Sequence, residues 1–197
     1  VTAGTLLPTA MSGTADPPLR PLPDRVARLL SELGCPPRLA AHLRAVHDVA
    51  HQLVDWLEQH CPTAAVDREA VLFGAATHDV GKTVHLGELS GPGSAHEETG
   101  RALLLDHGIS PALARFAATH ASWPDAPAGF DDLLVSLADK IWKNKRVTDL
   151  EDLVVARLAA SGRAPWEEFM ALDEVLAGIG ALADQRLAFQ ASFPVHG

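Results

Sequence analysis

An all-α domain is what this chain of 197 residues is expected to form, on three grounds. From Leu22 onward apolar residues recur at three- and four-residue steps, the period of a helix with one buried face. Short Pro, Gly and Asp breaks separate these stretches, and nothing between them reads as a convincing series of strands. Helix-start chemistry precedes several of the stretches. A composition of 47% hydrophobic and 21% charged residues is globular and sufficient for one domain with a sizeable core.

Residues 1–23 are rich in Pro, Thr, Gly and Ala without helical period, so a disordered tail is expected there and a single domain over 24–193. Helices are expected at Asp24–Leu33, Pro37–His60, Asp67–His78, Ala95–His107, Pro111–His120, Asp131–Lys143, Leu150–Ala160 and Pro165 to about Ala191. Gly34 and Gly108 mark helix ends as left-handed caps. Asp67 can cap the helix that follows it, Ser94 and Glu97 form a capping-box pattern, and Ser110 precedes a first-turn proline. The last helix carries Trp166, Phe169, Leu172, Val175, Leu176, Ile179, Leu182, Leu187 and Phe189, a wide apolar face that covers the core or supports a homodimer.

Several classes are excluded. No apolar run approaches the roughly 20 residues that span a bilayer, and no basic segment precedes an apolar stretch at the N-terminus, so a cytoplasmic protein without a membrane partner is expected. Cys35 and Cys61 can pair only once and do not resemble a disulfide framework; structural thiols are expected. A net charge of −9 argues against general nucleic-acid binding, though a locally positive site still admits small anions.

The chemistry lies in Ala76-Thr77-His78-Asp79-Val80-Gly81-Lys82. Neighbouring helical residues point about 100° apart, so His78 and Asp79 can share a metal only where the helix ends or distorts, and Gly81 is expected to supply that break. Imidazole with carboxylate suits Zn, Fe, Mn, Co or Ni. His42 sits on or beside a buried helical face and serves either a core hydrogen bond or a ligand role, whereas His47 and His51 lie farther round and are expected toward solvent. Asp139 interrupts an apolar helix end, where a carboxylate needs a base such as Lys140 or a metal.

The order His42, His78-Asp79, Asp139 resembles the HD-domain superfamily. Val46 and Ala50 follow His42 at family-like spacing, Ala75 to Lys82 is similar to the family's Ala…His-Asp-x-Gly-Lys, and Leu137-Ala138-Asp139-Lys140 to its late Ala-Asp segment. The resemblance covers about Pro37 to Arg146 and implies a compact helical bundle in which these four residues converge on a first metal. His96 and His120 fall where some members add histidines for a second metal, with Asp79 as the bridging candidate; small bacterial hydrolases of dinucleoside polyphosphates belong to that branch. Read locally, His96 is equally a helix-cap residue and His120 a last-turn histidine. The chain departs from cyclic-dinucleotide HD-GYP enzymes, since Ala121 follows His120 and there is no tyrosine.

What the resemblance implies is a phosphohydrolase with one or, on the six-ligand reading, two divalent transition metals, acting through metal-activated water on a small, nucleotide-like phosphomonoester or phosphoanhydride. Lys82 and Arg146 are the candidates for holding phosphate. The Gly-rich loop from His85 to Gly93 is either a specificity element or a flexible connection without a catalytic role, and a second loop at Trp123 to Gly129 is expected over the site with Trp123 in a packing role. Glu97 and Glu98 are candidates for orienting a ligand histidine. Two other functions share these residues: an HD-type diiron oxygenase, and a nucleotide-binding regulatory module without turnover.

Overall fold

The computed structural model of the protein describes residues 6–123 and 128–195. Its helices are α1 (Leu6–Ser12), α2 (Asp24–Glu32), α3 (Pro37–His60), α4 (Arg68–Thr77), α5 (Ala95–Asp106), α6 (Pro111–Thr119), α7 (Phe130–Ile141), α8 (Thr148–Ala159), α9 (Pro165–Gly180) and α10 (Ala183–Ala191). Two 3₁₀ turns, Val80–Thr83 and Leu86–Leu89, lie between α4 and α5. Among the described residues there is no strand, and no helix is long and apolar enough to cross a membrane.

The axis of the bundle is α3, against which α1, α4, α7, α9 and α10 all pack. Every residue from Leu39 to Ala50 is buried, so no side of this stretch faces water. His47, expected toward solvent from its angular position, is only 2% exposed, because helices close round α3 on more sides than its apolar stripe implies.

Enclosure on all sides forces the polar residues of α3 to find partners. Arg44 donates to the carbonyls of Arg20 (Nε, 3.0 Å), Leu19 (Nη2, 2.6 Å) and Ala10 (Nη1, 3.4 Å). Asp48 Oδ1 accepts from the Arg20 backbone N–H at 3.0 Å. These contacts hold the segment from Leu6 to Pro23 against the bundle, with Ala10, Met11, Leu19 and Leu22 buried. The disorder expected over residues 1–23 therefore does not extend to Leu6 and beyond. Its partners lie more than twenty residues away in sequence, where no local pattern announces them. Residues 1–5 lie outside the described residues.

Helix ends follow their local chemistry in places. Gly34 and Gly108 adopt φ of 61° and 73°, the left-handed region that favours glycine. Asp67 accepts the Ala70 N–H at 3.0 Å. The Ser94 box does not form, since Ser94 makes no side-chain cap bond. Glu88 replaces it: its two oxygens accept the Ala95 and His96 backbone N–H groups at 3.1 and 3.2 Å.

The long C-terminal helix is broken at Ala181 and Leu182 into α9 and α10. A buried cation joins the pieces, as Arg186 donates to the carbonyls of Trp142 and Ile179. Leu172, Leu176, Ile179 and Phe189 reach the core, while Trp166 at 69% and Phe169 at 44% remain exposed, contrary to a single core-facing stripe. Cys35 and Cys61 are buried and unpaired, and burial pushes the Cys35 thiol up to about 12.

Candidate metal centre

His78 closes α4 in helical conformation (φ −53°, ψ −34°), and Asp79 leaves it at φ −101°, ψ 11°. That change of course, expected from Gly81, occurs before Gly81 is reached. Gly81 serves another purpose: a Cβ there would collide with the His96 carbonyl and come within 2.6 Å of the Gly100 nitrogen. Its bare backbone lets α5 approach the turn after α4, which carries His96 toward Asp79.

His42 from α3, His78 and Asp79 from the end of α4, His96 from α5, His120 after α6 and Asp139 from α7 are all buried, none more than 7% exposed. Their polar atoms face one another. Asp79 Oδ2 lies 3.1 Å from His42 Nε2 and 3.6 Å from His78 Nε2. Asp79 Oδ1 lies 3.1 Å from His96 Nε2 and 3.6 Å from His120 Nε2. Asp139 Oδ1 completes the first group, 3.4 Å from His78 Nε2 and 3.7 Å from His42 Nε2. His42, His78 and Asp139 offer donor atoms within 4.8 Å of one another, as do His78, Asp79 and His120.

The far nitrogens of three rings are engaged. His78 Nδ1 donates to the Ala75 carbonyl and His120 Nδ1 to the Ala117 carbonyl, both at 3.0 Å. His96 Nδ1 lies 2.5 Å from Glu88 Oε2. A proton on Nδ1 leaves the Nε2 lone pair free for a cation, the arrangement that holds a metal-ligating histidine in its tautomer. Glu88, rather than Glu97 or Glu98, is the carboxylate that orients a candidate ligand. Glu98 instead pairs with Arg101 at 2.7 Å.

The donor set fits a divalent transition metal on an observation of its own. Asp79 Oδ1 and His96 Nε2 are buried and neither has a hydrogen-bond partner, although they lie 3.1 Å apart. Buried orphans of this kind cost free energy unless something else engages them. Electrostatics agree: burial raises the Asp79 carboxyl, but His78, His42 and His96 outweigh it and hold Asp79 well below its ordinary value. Asp139 is likewise lowered, its burial outweighed by His78, Lys140 and His42. Burial, reinforced by His78, lowers His120 to about 4, keeping it neutral and able to ligate.

A cavity of about 430 Å³ opens over the cluster. Lys82, Lys140, Lys143 and Arg38 line it with Trp142, and α10 contributes Leu187 and Gln190. Lys82 Nζ donates to Asp79 Oδ2 and Lys140 Nζ to Asp139 Oδ2, each at 2.6 Å. Leu89 and Gly93 of the Gly-rich loop also line the cavity. Trp123 packs against the core, and residues 124–127 of the second loop lie outside the described residues.

Arg146 is not brought to this cavity. Its guanidinium donates to Glu151 Oε1 at 2.9 Å and Oε2 at 2.6 Å, and to Asp173 Oδ1 at 2.8 Å. Those two carboxylates, one on α8 and one on α9, claim the cation that sequence position alone assigned to phosphate.

The family model described as HD domain matches residues 39–159. The chain belongs to the HD-domain family. The matched span runs from the first turn of α3 to the end of α8 and contains all six clustered residues, so membership and geometry concern the same part of this HD domain. The N-terminal segment, α9 and α10 fall outside it. No curated protein and no solved structure matches the chain.

Proposed function

We propose that this HD domain is a metal-dependent phosphohydrolase that uses two divalent transition-metal ions to cleave a phosphomonoester or phosphoanhydride of a small, nucleotide-like substrate. The observation that carries the reading is the division of Asp79: one oxygen faces His42 and His78, the other faces His96 and His120. His42, His78, Asp79 and Asp139 would hold one ion, and Asp79, His96 and His120 the other. Bound there, such ions supply a water of lowered pKa and neutralise phosphoryl oxygens.

The chain's own residues do the rest. Lys140 holds Asp139 Oδ2 and leaves Oδ1 to His78 and His42, while Lys82 holds Asp79 Oδ2, the oxygen that also faces His42 and His78, so both carboxylates are fixed in orientation. Both lysines also border the cavity, as does Lys143, so an entering phosphate meets three ammonium groups. Lys143 takes the role first expected of Arg146. Trp142, whose ring meets His42 edge-on with centroids 4.9 Å apart, offers a flat wall for an organic leaving group.

The test is a phosphate-release screen over nucleotides and simple phosphate esters with Mn, Co, Ni or Fe, coupled to metal analysis. Parent protein should turn over at least one substrate, and Asp79→Ala should lose activity while keeping its helical circular dichroism. One ion per chain would remove the bridging role of Asp79 but leave a hydrolase. No phosphate release from any substrate with two ions bound would overturn the hydrolase reading.

A further inference from the structure

The polar residues buried on α3 are accounted for except one. Arg44 and Asp48 fasten the N-terminal segment, and His42 belongs to the metal centre. His47 is 2% exposed and neither of its ring nitrogens has a hydrogen-bond partner. A native fold rarely leaves such a group unengaged, because each buried polar group without a partner is costly.

His47 forms part of the wall of a cavity of about 700 Å³ bounded by α2, α3, α4 and the start of α6. That volume is of the size that takes small ligands. The cavity shares no lining residue with the one over the metal centre. His47 follows His42 by five residues, which places it about 140° round α3 from the ligand histidine.

The lining states what could enter. Val26, Leu72, Phe73 and Leu113 present apolar surface. Burial lowers His47 to about 4, so near neutral pH its ring offers one N–H donor and one lone pair and no charge. His51 stands edge-on to it with centroids 4.8 Å apart and is occupied at Nδ1 by Arg68. Charges at the walls are mixed: Arg25 lies over the Phe73 ring at 5.5 Å, and Asp67 and Glu69 oppose it, so neither an anion nor a cation is favoured.

We infer that this cavity is a second ligand site, for a small, neutral, mainly apolar molecule bearing one hydroxyl group, which hydrogen-bonds to His47 while its body lies against Phe73 and Leu113. A hydroxyl suits either ring nitrogen of the imidazole, since it both donates and accepts. The inference stands apart from the hydrolase reading, because it concerns binding at a separate cavity.

The test uses the full chain and two probes, 2-naphthol and naphthalene, which share a body and differ by the hydroxyl. Calorimetric titration should give one 2-naphthol per chain, with naphthalene bound about tenfold more weakly, the worth of one hydrogen bond. Long-range imidazole NMR spectra should show the His47 resonances moving and those of His120 staying in place. His47→Phe should weaken 2-naphthol at least tenfold. Ala112→Trp, at the exposed rim of the cavity, should block entry and keeps the test valid if the core variant folds poorly. Equal binding of the two probes, unchanged affinity in both variants, or no binding of 2-naphthol at all would overturn the inference.

Discussion

Glu88 provides the sharpest probe of the metal centre. It carries three contacts: the Ala95 N–H, the His96 N–H and, at 2.5 Å, His96 Nδ1. The first two begin α5, and as the Ala95 contact is exposed and the His96 backbone contact partly so, they can pass to water when the carboxylate is removed. The third has no substitute, because no other acceptor lies at His96 Nδ1 among the described contacts. His96 is raised from its ordinary value because Asp79 and Glu88, acting on its two nitrogens, outweigh its burial. Glu88→Ala therefore frees the ring to turn and removes the negative charge that strengthens its Nε2 lone pair. Loss of such an outer partner lowers metal affinity by about 10- to 100-fold. On the proposed two-ion arrangement the effect should fall on one ion, since His42, His78 and Asp139 have no contact with Glu88. Competition with a chromophoric chelator should thus show a tight ion retained and a second weakened toward 100-fold in Glu88→Ala and toward tenfold in Glu88→Gln. Two ions held as tightly in both variants as in the parent would refute the positioning role of Glu88.

Three further outcomes are expected. Arg44→Met removes the donor to three carbonyls of the N-terminal segment, so thermolysin, which cuts before apolar residues such as Met11, should open that segment well before the bundle is attacked; unchanged cutting would show that Arg44 does not hold the segment. His47 is lowered from 6.5 to about 4 by burial, so the unfolded chain binds more protons between those values, and its share of stability is complete above pH 6.5 and lost as pH falls toward 4. At about 1.4 kcal/mol per unit that share is roughly 3 kcal/mol, and chelator-treated His47→Leu should lose correspondingly less stability than the parent between pH 7 and 4.5 in urea titrations. Arg146→Gln should leave phosphate release within about twofold and cost about 1–3 kcal/mol of stability, since it leaves the buried Glu151 carboxylate without its bidentate partner; a large fall in activity with stability intact would return Arg146 to the site.

What was legible in the sequence was what local chemistry controls. Gly34 and Gly108 end helices because their φ values favour a residue without Cβ, and Asp67 caps because its carboxylate reaches the third N–H ahead. His42, His78, Asp79 and Asp139 were each only suggestive against their apolar surroundings, and it was their order along the chain, resembling that of the HD-domain superfamily, that made them readable as a set. Glu88 was missed, since a carboxylate seven residues before α5 competes with Ser94 only once the intervening turn has folded back. The signal available was its place in a Gly-rich loop directly before a histidine-bearing helix. Arg44, Arg146 and His47 escaped for a common reason: their surroundings are set by helices distant in sequence, and periodicity reports one face of one helix at a time.

The wall that α10 gives to the cavity separates two kinds of change this protein can absorb. Arg186 and Phe189 anchor that helix inward, while Leu187 and Gln190 look onto the cavity from outside the span shared with the family. Part of the cavity wall is thus carried on a stretch different from the residues clustered beneath it. Replacing Leu187 and Gln190, or grafting another helix onto the same anchors, is a route to retuning selectivity that leaves the histidine and aspartate cluster untouched.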